Sequence, residues 1–372
     1  MKQLLKKLLN AKRRRKILDF LNKFWCTFCR CLPVRNVVLF YTIRANGKLA
    51  DNSKAVYDAL DAKKVVFAEM LPHSSKAKLR AYFYLLTSKV IVTDDYVRYM
   101  RTIKLRKNQK LIQIWHACGA FKKFGLDAPG PITKKEEIAT HSQYNAVVVT
   151  AEHCKQFYAS AFGIKEEICM PLGLPRTDSV IKDADSLRNK VHSRHPEFRN
   201  KKIYLYCPTF REKNGKRINF DSMIDWEKLN SELGDDEIFI IRRHPVMKYN
   251  LADKKYPKII DLTDESTLEL TTVSSAIITD YSSVIYDACL LDVPSVFYCP
   301  DYKDYERGFY LKFPDDLPGE MITEPEKLLC TIRNTVSSPD KEKTEKFKLQ
   351  QLSACDGNSS KKVAELIKSW LA

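Results

Sequence analysis

With 372 residues, 44% of them hydrophobic, the chain has material for two packed domains of ordinary size, and a small stapled scaffold is excluded. Eleven glycines and sixteen prolines are too few for a collagen-like or low-complexity chain, and no apolar run exceeds six residues, far short of the roughly 18 that a membrane-crossing helix needs. The net charge is +17, and where it sits matters more than its sum.

Residues 1–35 hold eleven Lys or Arg against the single acid Asp19, so +10 of the +17 lies there. Leu4, Leu5, Leu8 and Leu9, then Ile17, Leu18, Leu21, Phe24, Trp25 and Phe28, are interleaved with those cations at helical spacing. At about 100° per residue the two apolar sets point in opposite directions on one straight helix, which predicts two segments meeting near Arg13–Lys16. This basic amphipathic helical segment suits an anionic membrane surface, with apolar side chains among acyl tails and cations at the headgroups. A signal peptide fits poorly, because five consecutive cations, Lys12–Lys16, interrupt the apolar run and no small-residue cleavage site follows. Nucleic acid is the rival anion, and a helix packed on its own domain with a solvated basic face is the plainer alternative.

From residue 36 onward short β-branched runs alternate with helical stretches, the pattern of parallel α/β layers. Strands are predicted at Val37–Tyr41, Val65–Met70, Lys89–Thr93, Lys110–Trp115, Ala146–Thr150 and Glu167–Leu172, giving one sheet. A second sheet is predicted from Lys202–Cys207, Glu237–Arg242, Lys258–Asp261, Ala276–Thr279 and Pro294–Tyr298. Between them 181–200 is polar and charged. The expected organisation is therefore a segment 1–35, a Rossmann-like domain 36–180 and a second Rossmann-like domain 181–372 that ends in a closing helix over 359–372. Two such domains facing one another make a cleft lined by the carboxyl ends of their strands. The eleven cysteines are scattered, and all are read as reduced thiols.

The polar residues standing where apolar runs stop are the candidates for chemistry. His116 follows the Lys110–Trp115 run and precedes a glycine-containing turn that ends in Lys122 and Lys123. An imidazole titrating near neutrality can remove a hydroxyl proton, so His116 is the candidate general base, with a buried structural histidine as the alternative. His244 lies between Arg243 and Pro245 at a strand end, and with Arg211 it can neutralise a pyrophosphate; a surface basic patch is the other reading. Thr279, Asp280, Ser282 and Ser283 lead from a strand into a helix, where hydroxyls and free backbone N–H groups form an anion site, although Ser is also an ordinary N-cap. Asp287, one turn on, can accept from a ribose or be a solvated helix acid. Metal chemistry fits poorly: Asp183-Ala-Asp185 reads as a helix start, and only proximity, which is weak evidence, speaks for Asp94-Asp95 and Asp315-Asp316 as Mg²⁺ ligands. No Walker-type loop and no Gly-x-Ser-x-Gly elbow is present.

Taken together, Gln113-Ile-Trp-His116 with Lys122-Lys123, Gly173-Leu-Pro-Arg-Thr-Asp178, Cys207-Pro-Thr-Phe-Arg211, Arg243-His-Pro245, Thr279-Asp-Tyr-Ser-Ser283 with Asp287, and Arg307-Gly-Phe-Tyr310 resemble the CDP-glycerol glycerophosphotransferase family of bacterial wall teichoic acid synthesis, from about residue 37 to 372. Polymerising members often read Gly-Thr-Pro after the Trp-His. This chain has Ala117-Cys118-Gly119, which looks more like the short branch that adds the first unit. The resemblance implies the two-domain GT-B architecture. It also implies transfer of glycerol phosphate from CDP-glycerol to an undecaprenyl-diphosphate-linked saccharide at the cytoplasmic membrane face, releasing CMP without metal or other cofactor. It places His116 in the acceptor half as base, Lys122 and Lys123 on the acceptor's lipid diphosphate, with a solvated basic loop as the alternative, and Arg211, His244, Ser282 and Ser283 around the donor pyrophosphate. Arg243, Thr279, Asp280 and Asp287 complete the expected donor site. Ribitol-phosphate or capsular-type transfer on the same scaffold, and a basic nucleic-acid-binding protein, are the alternatives; the adopted reading has no nucleic-acid partner.

Overall fold

The computed structural model describes residues 20–43, 47–68, 75–128, 130, 132–213, 216–218, 223–243, 256–305 and 308–372. In chain order the first lobe comprises helix α1 (20–31), β1 (Arg35–Thr42), α2 (Asp51–Ala59), β2 (Lys64–Ala68), α3 (Ser75–Thr87), β3 (Ser88–Thr93), β4 (Lys110–Gln113), α4 (Lys134–His141), β5 (Ala146–Val149), α5 (Lys155–Phe162) and β6 (Cys169–Pro171). Helix α6 (Thr177–Arg194) leads into the second lobe, which comprises β7 (Lys202–Cys207), β8 (Arg211–Lys213), β9 (Lys216–Ile218), α7 (Trp226–Glu232), β10 (Glu237–Ile241), β11 (Ile259–Asp261), α8 (Thr267–Thr271), β12 (Ala276–Thr279), α9 (Val284–Leu290), β13 (Ser295–Tyr298), β14 (Glu320–Ile322), α10 (Leu328–Ser337) and α11 (Lys341–Gln351), followed by α12 (Ser359–Leu371).

Each lobe holds a six-stranded parallel sheet, ordered β2-β1-β3-β4-β5-β6 in the first and β11-β10-β7-β12-β13-β14 in the second. The strands are runs of Val, Ile, Leu, Phe and Tyr because helices cover both faces of a parallel sheet. Alternation sorts them: Leu39 and Tyr41 of β1 enter one core and Val38 and Phe40 the other, as Tyr204 and Tyr206 of β7 part from Ile203 and Leu205. All eleven expected strands form, most a residue or two shorter than their apolar runs. Two features carried no sequence signal, the edge strand β14 and the antiparallel hairpin β8-β9, each built of three-residue strands.

The segment between the lobes is helical. α6 starts at Thr177, so Asp183 and Asp185 lie inside it, and Asp183 adopts non-helical angles that kink it. The closing helix α12, assigned by sequence to the second lobe, packs on the first: Val363, Ala364 and Ile367 are buried with Val38, Phe40, Val90 and Ile112. The Asp178 carboxylate accepts the Ser359 and Ser360 N–H groups at 2.9 and 2.8 Å and so caps α12.

α1 is docked by one side. Trp25 Nε1 donates to the Leu79 carbonyl at 2.9 Å, Cys29 is buried, and the Arg106 guanidinium donates to the Cys29 and Leu32 carbonyls. Phe20, Leu21, Phe24 and Phe28, within about 100° of arc on the helix, are exposed. The expected break near Arg13–Lys16 and the leucine set before it lie outside the described residues. No helix among the described residues is long and apolar enough to cross a membrane, and all eleven cysteines are free thiols.

A further core joins the lobes. Cys118 and Phe121 from the turn after β4, and Leu174 before α6, are buried with Tyr281, Ile285, Tyr286 and Cys289 around α9 and with Phe347 and Leu352 of the α11 region.

Candidate active site

In open parallel sheets ligands bind at the carboxyl edge where the strand order reverses. That point lies between β1 and β3 in the first lobe and between β7 and β12 in the second. Thr279 and Asp280 stand at the second, and His116, after β4, reaches the residues that follow β3 at the first.

In the first lobe β4 runs into Trp115, whose φ of 49° is rare for a bulky residue. Two side chains hold that turn: Gln113 Oε1 accepts the Trp115 N–H and Asn52 Nδ2 donates to the Trp115 carbonyl, each at 2.9 Å. His116 then stacks on the Trp115 ring, centroids 4.2 Å apart. Its Nδ1 is 3.1 Å from the Asp94 carbonyl and 4.0 Å from an Asp95 carboxylate oxygen. A carbonyl only accepts, so the contact favours a proton on Nδ1 and a lone pair on Nε2. The side chain is 27% exposed, so the ring is not sealed inside its own lobe. The Asp94 carboxylate accepts from the Thr42 and Ser53 hydroxyls at 3.1 and 2.7 Å. No group of three His, Cys, Asp or Glu among the described residues is placed to hold a metal ion.

In the second lobe several nominated donor residues have protein partners instead. The buried Arg211 guanidinium donates to Asp301 through Nε and Nη2 and to Asp280 through Nη1 at 2.8 Å. Burial works against its charge, but Asp301 and Asp280 outweigh it and raise its pKa. Asp280 also accepts the Thr209 N–H and hydroxyl and the Tyr281 N–H. Thr279 donates its hydroxyl to the Cys207 carbonyl at 2.8 Å. The physical reason is common to these residues: where a parallel ladder stops, backbone groups lose their partners, and side chains at the strand ends take them up. Arg243 is buried and ion-paired with Asp261. His244 and Pro245 lie outside the described residues, as does Arg307. Ser282 Oγ accepts the Val284 N–H at 3.3 Å, whereas Ser283, exposed at the head of α9, makes no side-chain capping bond. Ser283 is thus the N-cap of α9 by position without a capping bond, and Ser282, before it, bonds the helix's first N–H.

The seam brings the two halves together. Lys122 bridges Phe309 in antiparallel fashion, the Lys123 N–H donates to the Gly308 carbonyl at 2.9 Å, and the Tyr310 N–H donates to the Phe121 carbonyl at 2.9 Å. The Lys122 ammonium lies 5.6 Å from the Tyr305 ring centroid. Gly119, at φ +56°, lies so close to α9 that a Cβ there would sit 2.3 Å from the Tyr286 ring. Asp287, nominated for a ribose, is 7% exposed and ion-paired with Arg176 Nη1 at 2.9 Å across the seam. The Arg176 N–H in turn donates to Asn52 Oδ1 at 3.0 Å, so one buried amide touches both the seam and the turn before His116. Burial pushes the Cys118 thiol well above its usual pKa, which leaves it a packing residue and not a nucleophile.

Asn52 and Asp301 were not singled out from sequence, Arg176 stood only within a matching stretch, and Asp95 was named only beside Asp94 as a weak Mg²⁺ candidate. Asp95 and Asp301 follow β3 and β13 and meet the same criterion as the residues that were: polar groups where an apolar run stops. Asn52 and Arg176 gave no such signal, because their partners are distant in the chain.

Two doubly wound lobes, each with a six-stranded parallel sheet, give the chain a GT-B-like fold. The chain belongs to the family described as CDP-Glycerol:Poly(glycerophosphate) glycerophosphotransferase, which it matches over residues 26–369. It is 33% identical over 362 residues to the teichoic acid ribitol-phosphate primase of Bacillus spizizenii, covering 91% of this chain and 93% of that protein. It is 30% identical over 307 residues to the teichoic acid glycerol-phosphate primase of Bacillus subtilis, covering 79% and 77%. A variant of the wall teichoic acid polymerase TagF superposes with a TM-score of 0.77 at 23% identity, over 97% of this chain and 96% of that one; TagF has also been soaked with CDPG. A UDP-GlcNAc 2-epimerase from Neisseria meningitidis shares the fold with a TM-score of 0.62 at 13% identity, over 90% and 99%. The chain is a polyol-phosphate transferase of teichoic acid synthesis.

Proposed function

We propose that the chain transfers glycerol phosphate from CDP-glycerol to a hydroxyl of an undecaprenyl-diphosphate-linked saccharide, releasing CMP, as the priming step of wall teichoic acid synthesis. The observation that carries this reading is His116, part-exposed beside the turn after β3, with its following turn packed against α9, whose N-cap is Ser283. His116 Nε2 takes the acceptor hydroxyl's proton, and the oxygen attacks the phosphorus of the glycerol phosphate. The phosphorus–oxygen bond to CMP then breaks. Ser282, Ser283 and the N–H groups at the start of α9 receive donor phosphate oxygens, since helix starts favour anions. Arg211 and Asp280 act on the donor through the turn they hold. His244 keeps its proposed donor role, and Lys122 and Lys123 on the seam face the acceptor's diphosphate. Such a transfer needs in-line positioning and charge neutralisation and calls for no cofactor. The exposed Phe20, Leu21, Phe24 and Phe28 beside Lys23 and Arg30 support peripheral attachment to the cytoplasmic membrane face.

A ribitol donor is the second reading, favoured by the 33% identity to a ribitol-phosphate primase. The test is turnover with CDP-glycerol or CDP-ribitol and a lipid-linked disaccharide, followed by mass spectrometry of the product. One added glycerol phosphate is expected. Addition of ribitol phosphate alone selects the second reading, and a long polymer rejects the priming step. CMP release that His116→Ala leaves unchanged, or that stops on metal chelation, rejects the mechanism.

A further inference from the structure

The turn after β3 lies beside the turn that carries His116, because β3 and β4 are hydrogen-bonded neighbours. The buried Gln113 amide ties the two turns together. Its Nε2 donates to the Asp95 carbonyl at 3.1 Å while its Oε1 accepts the Trp115 N–H at 2.9 Å. Thr93 adds a second bond to the same Asp95 carbonyl at 3.0 Å. Asp95 Oδ1 accepts the Tyr96 N–H at 2.7 Å, and Oδ2 lies 4.0 Å from His116 Nδ1. That is an ion-pair contact, too long for a hydrogen bond, of the kind that tightens when the imidazole gains charge or substrate binds. Asp94, next in the chain, directs its carboxylate to Thr42 and Ser53 and meets the ring with its carbonyl.

We propose that Asp95 is a positioning residue for His116. With the Asp94 carbonyl it keeps Nδ1 protonated, so that Nε2 is the atom that accepts the hydroxyl proton, and its negative charge stabilises the resulting imidazolium. The inference rests on His116 acting as the base. A carboxylate beside Nδ1 fixes the tautomer, and its loss leaves the ring free to carry the proton on the wrong nitrogen.

The experiment uses the full chain with CDP-glycerol and lipid-linked disaccharide, together with ¹⁵N-histidine NMR in which the His116 signals are assigned by their absence from His116→Ala. Asp95→Asn is expected to lower kcat about ten- to a hundredfold and to leave both KM values within about twofold, while His116 moves from the Nδ1–H form to a mixture of tautomers. Asp95→Glu is expected to restore part of the rate and the Nδ1–H form. Full kcat in Asp95→Asn, a loss confined to KM, or an unchanged tautomer overturns the proposal. Should Asp95→Asn fail to fold, Asp95→Glu decides: retention of the Nδ1–H form supports the proposal and its loss refutes it. An inactive His116→Ala beside a fully active Asp95→Asn defeats this inference alone, whereas a fully active His116→Ala defeats the base assignment itself.

Discussion

Asp287→Asn separates two uses of one carboxylate. By sequence Asp287 is placed to receive a ribose; in the structure it is paired with Arg176 across the seam at 2.9 Å, with side-chain exposures of 11% and 19%. Removing the charge strands a largely buried guanidinium, whose pKa is raised by Asp287 against the effect of burial. Its remaining neighbour in that direction is the Cys118 sulfur at 3.7 Å, a weak acceptor. Breaking one side of such a pair costs about 3–5 kcal/mol. Urea unfolding should therefore show a loss of that size for Asp287→Asn and a similar one for Arg176→Met, while the double replacement Arg176→Met/Asp287→Leu recovers most of it because no charge is left alone. The donor KM, measured below the unfolding transition, should stay within about twofold. The reasoning is refuted if Asp287→Asn unfolds within about 0.5 kcal/mol of the unaltered chain and its donor KM rises tenfold or more.

Gly119→Ala forces a Cβ to 2.3 Å from the Tyr286 ring at a φ of +56°, a clash plus a left-handed penalty that together cost about 2–4 kcal/mol; a melting temperature equal to that of the unaltered chain would show that the seam yields. Glu237 is held down to about 2 by the Arg333 guanidinium, with Tyr204 and the Gly234 N–H assisting against burial. A depressed carboxylate stabilises the fold above its ordinary pKa of 4.5 and loses that contribution as pH falls from there toward 2. Glu237→Gln should remove up to about 3 kcal/mol near neutrality and flatten the acid limb of unfolding free energy against pH, and an unchanged acid limb would contradict this. Replacing Phe20 and Phe24 by Ser should release the chain from anionic vesicles in a sedimentation assay without changing its melting temperature; undiminished binding would assign adhesion to other residues.

Much of the fold was legible because parallel strands buried on both faces are written as continuous apolar runs, which is why Lys202–Cys207 and Ala276–Thr279 end where expected. β14 was missed because Glu320-Met-Ile322 is a short edge strand with one buried residue. The site was legible in position and less so in role. Sequence locates Arg211, Asp280 and Asp287 at strand and helix ends, yet it cannot tell whether a charged group there faces a ligand or another side chain, and Asp301 and Arg176, their partners, lie 90 and 111 residues away. For α12 an amphipathic pattern predicted a buried face and said nothing about which lobe would bury it.

The seam also constrains how the two switch points cooperate. Separating the lobes would expose Phe121, Leu174, Tyr281, Ile285, Tyr286 and Leu352, all buried together, at about 1.5–3 kcal/mol for each large apolar side chain. The total is on the order of 10 kcal/mol, comparable with the 5–15 kcal/mol that holds a whole domain folded, before the Arg176–Asp287 pair and the backbone bonds to Gly308 and Tyr310 are broken. Wide hinge opening is therefore too costly to accompany each turnover. The turn bearing His116, the proposed base, is attached to the second lobe through Gly119, Phe121 and Lys123, and the turn after β12 is held by Asp280 and Arg211. Small-angle scattering should accordingly give the same radius of gyration with and without CDP-glycerol, and a contraction on binding would show that the lobes part despite the core between them.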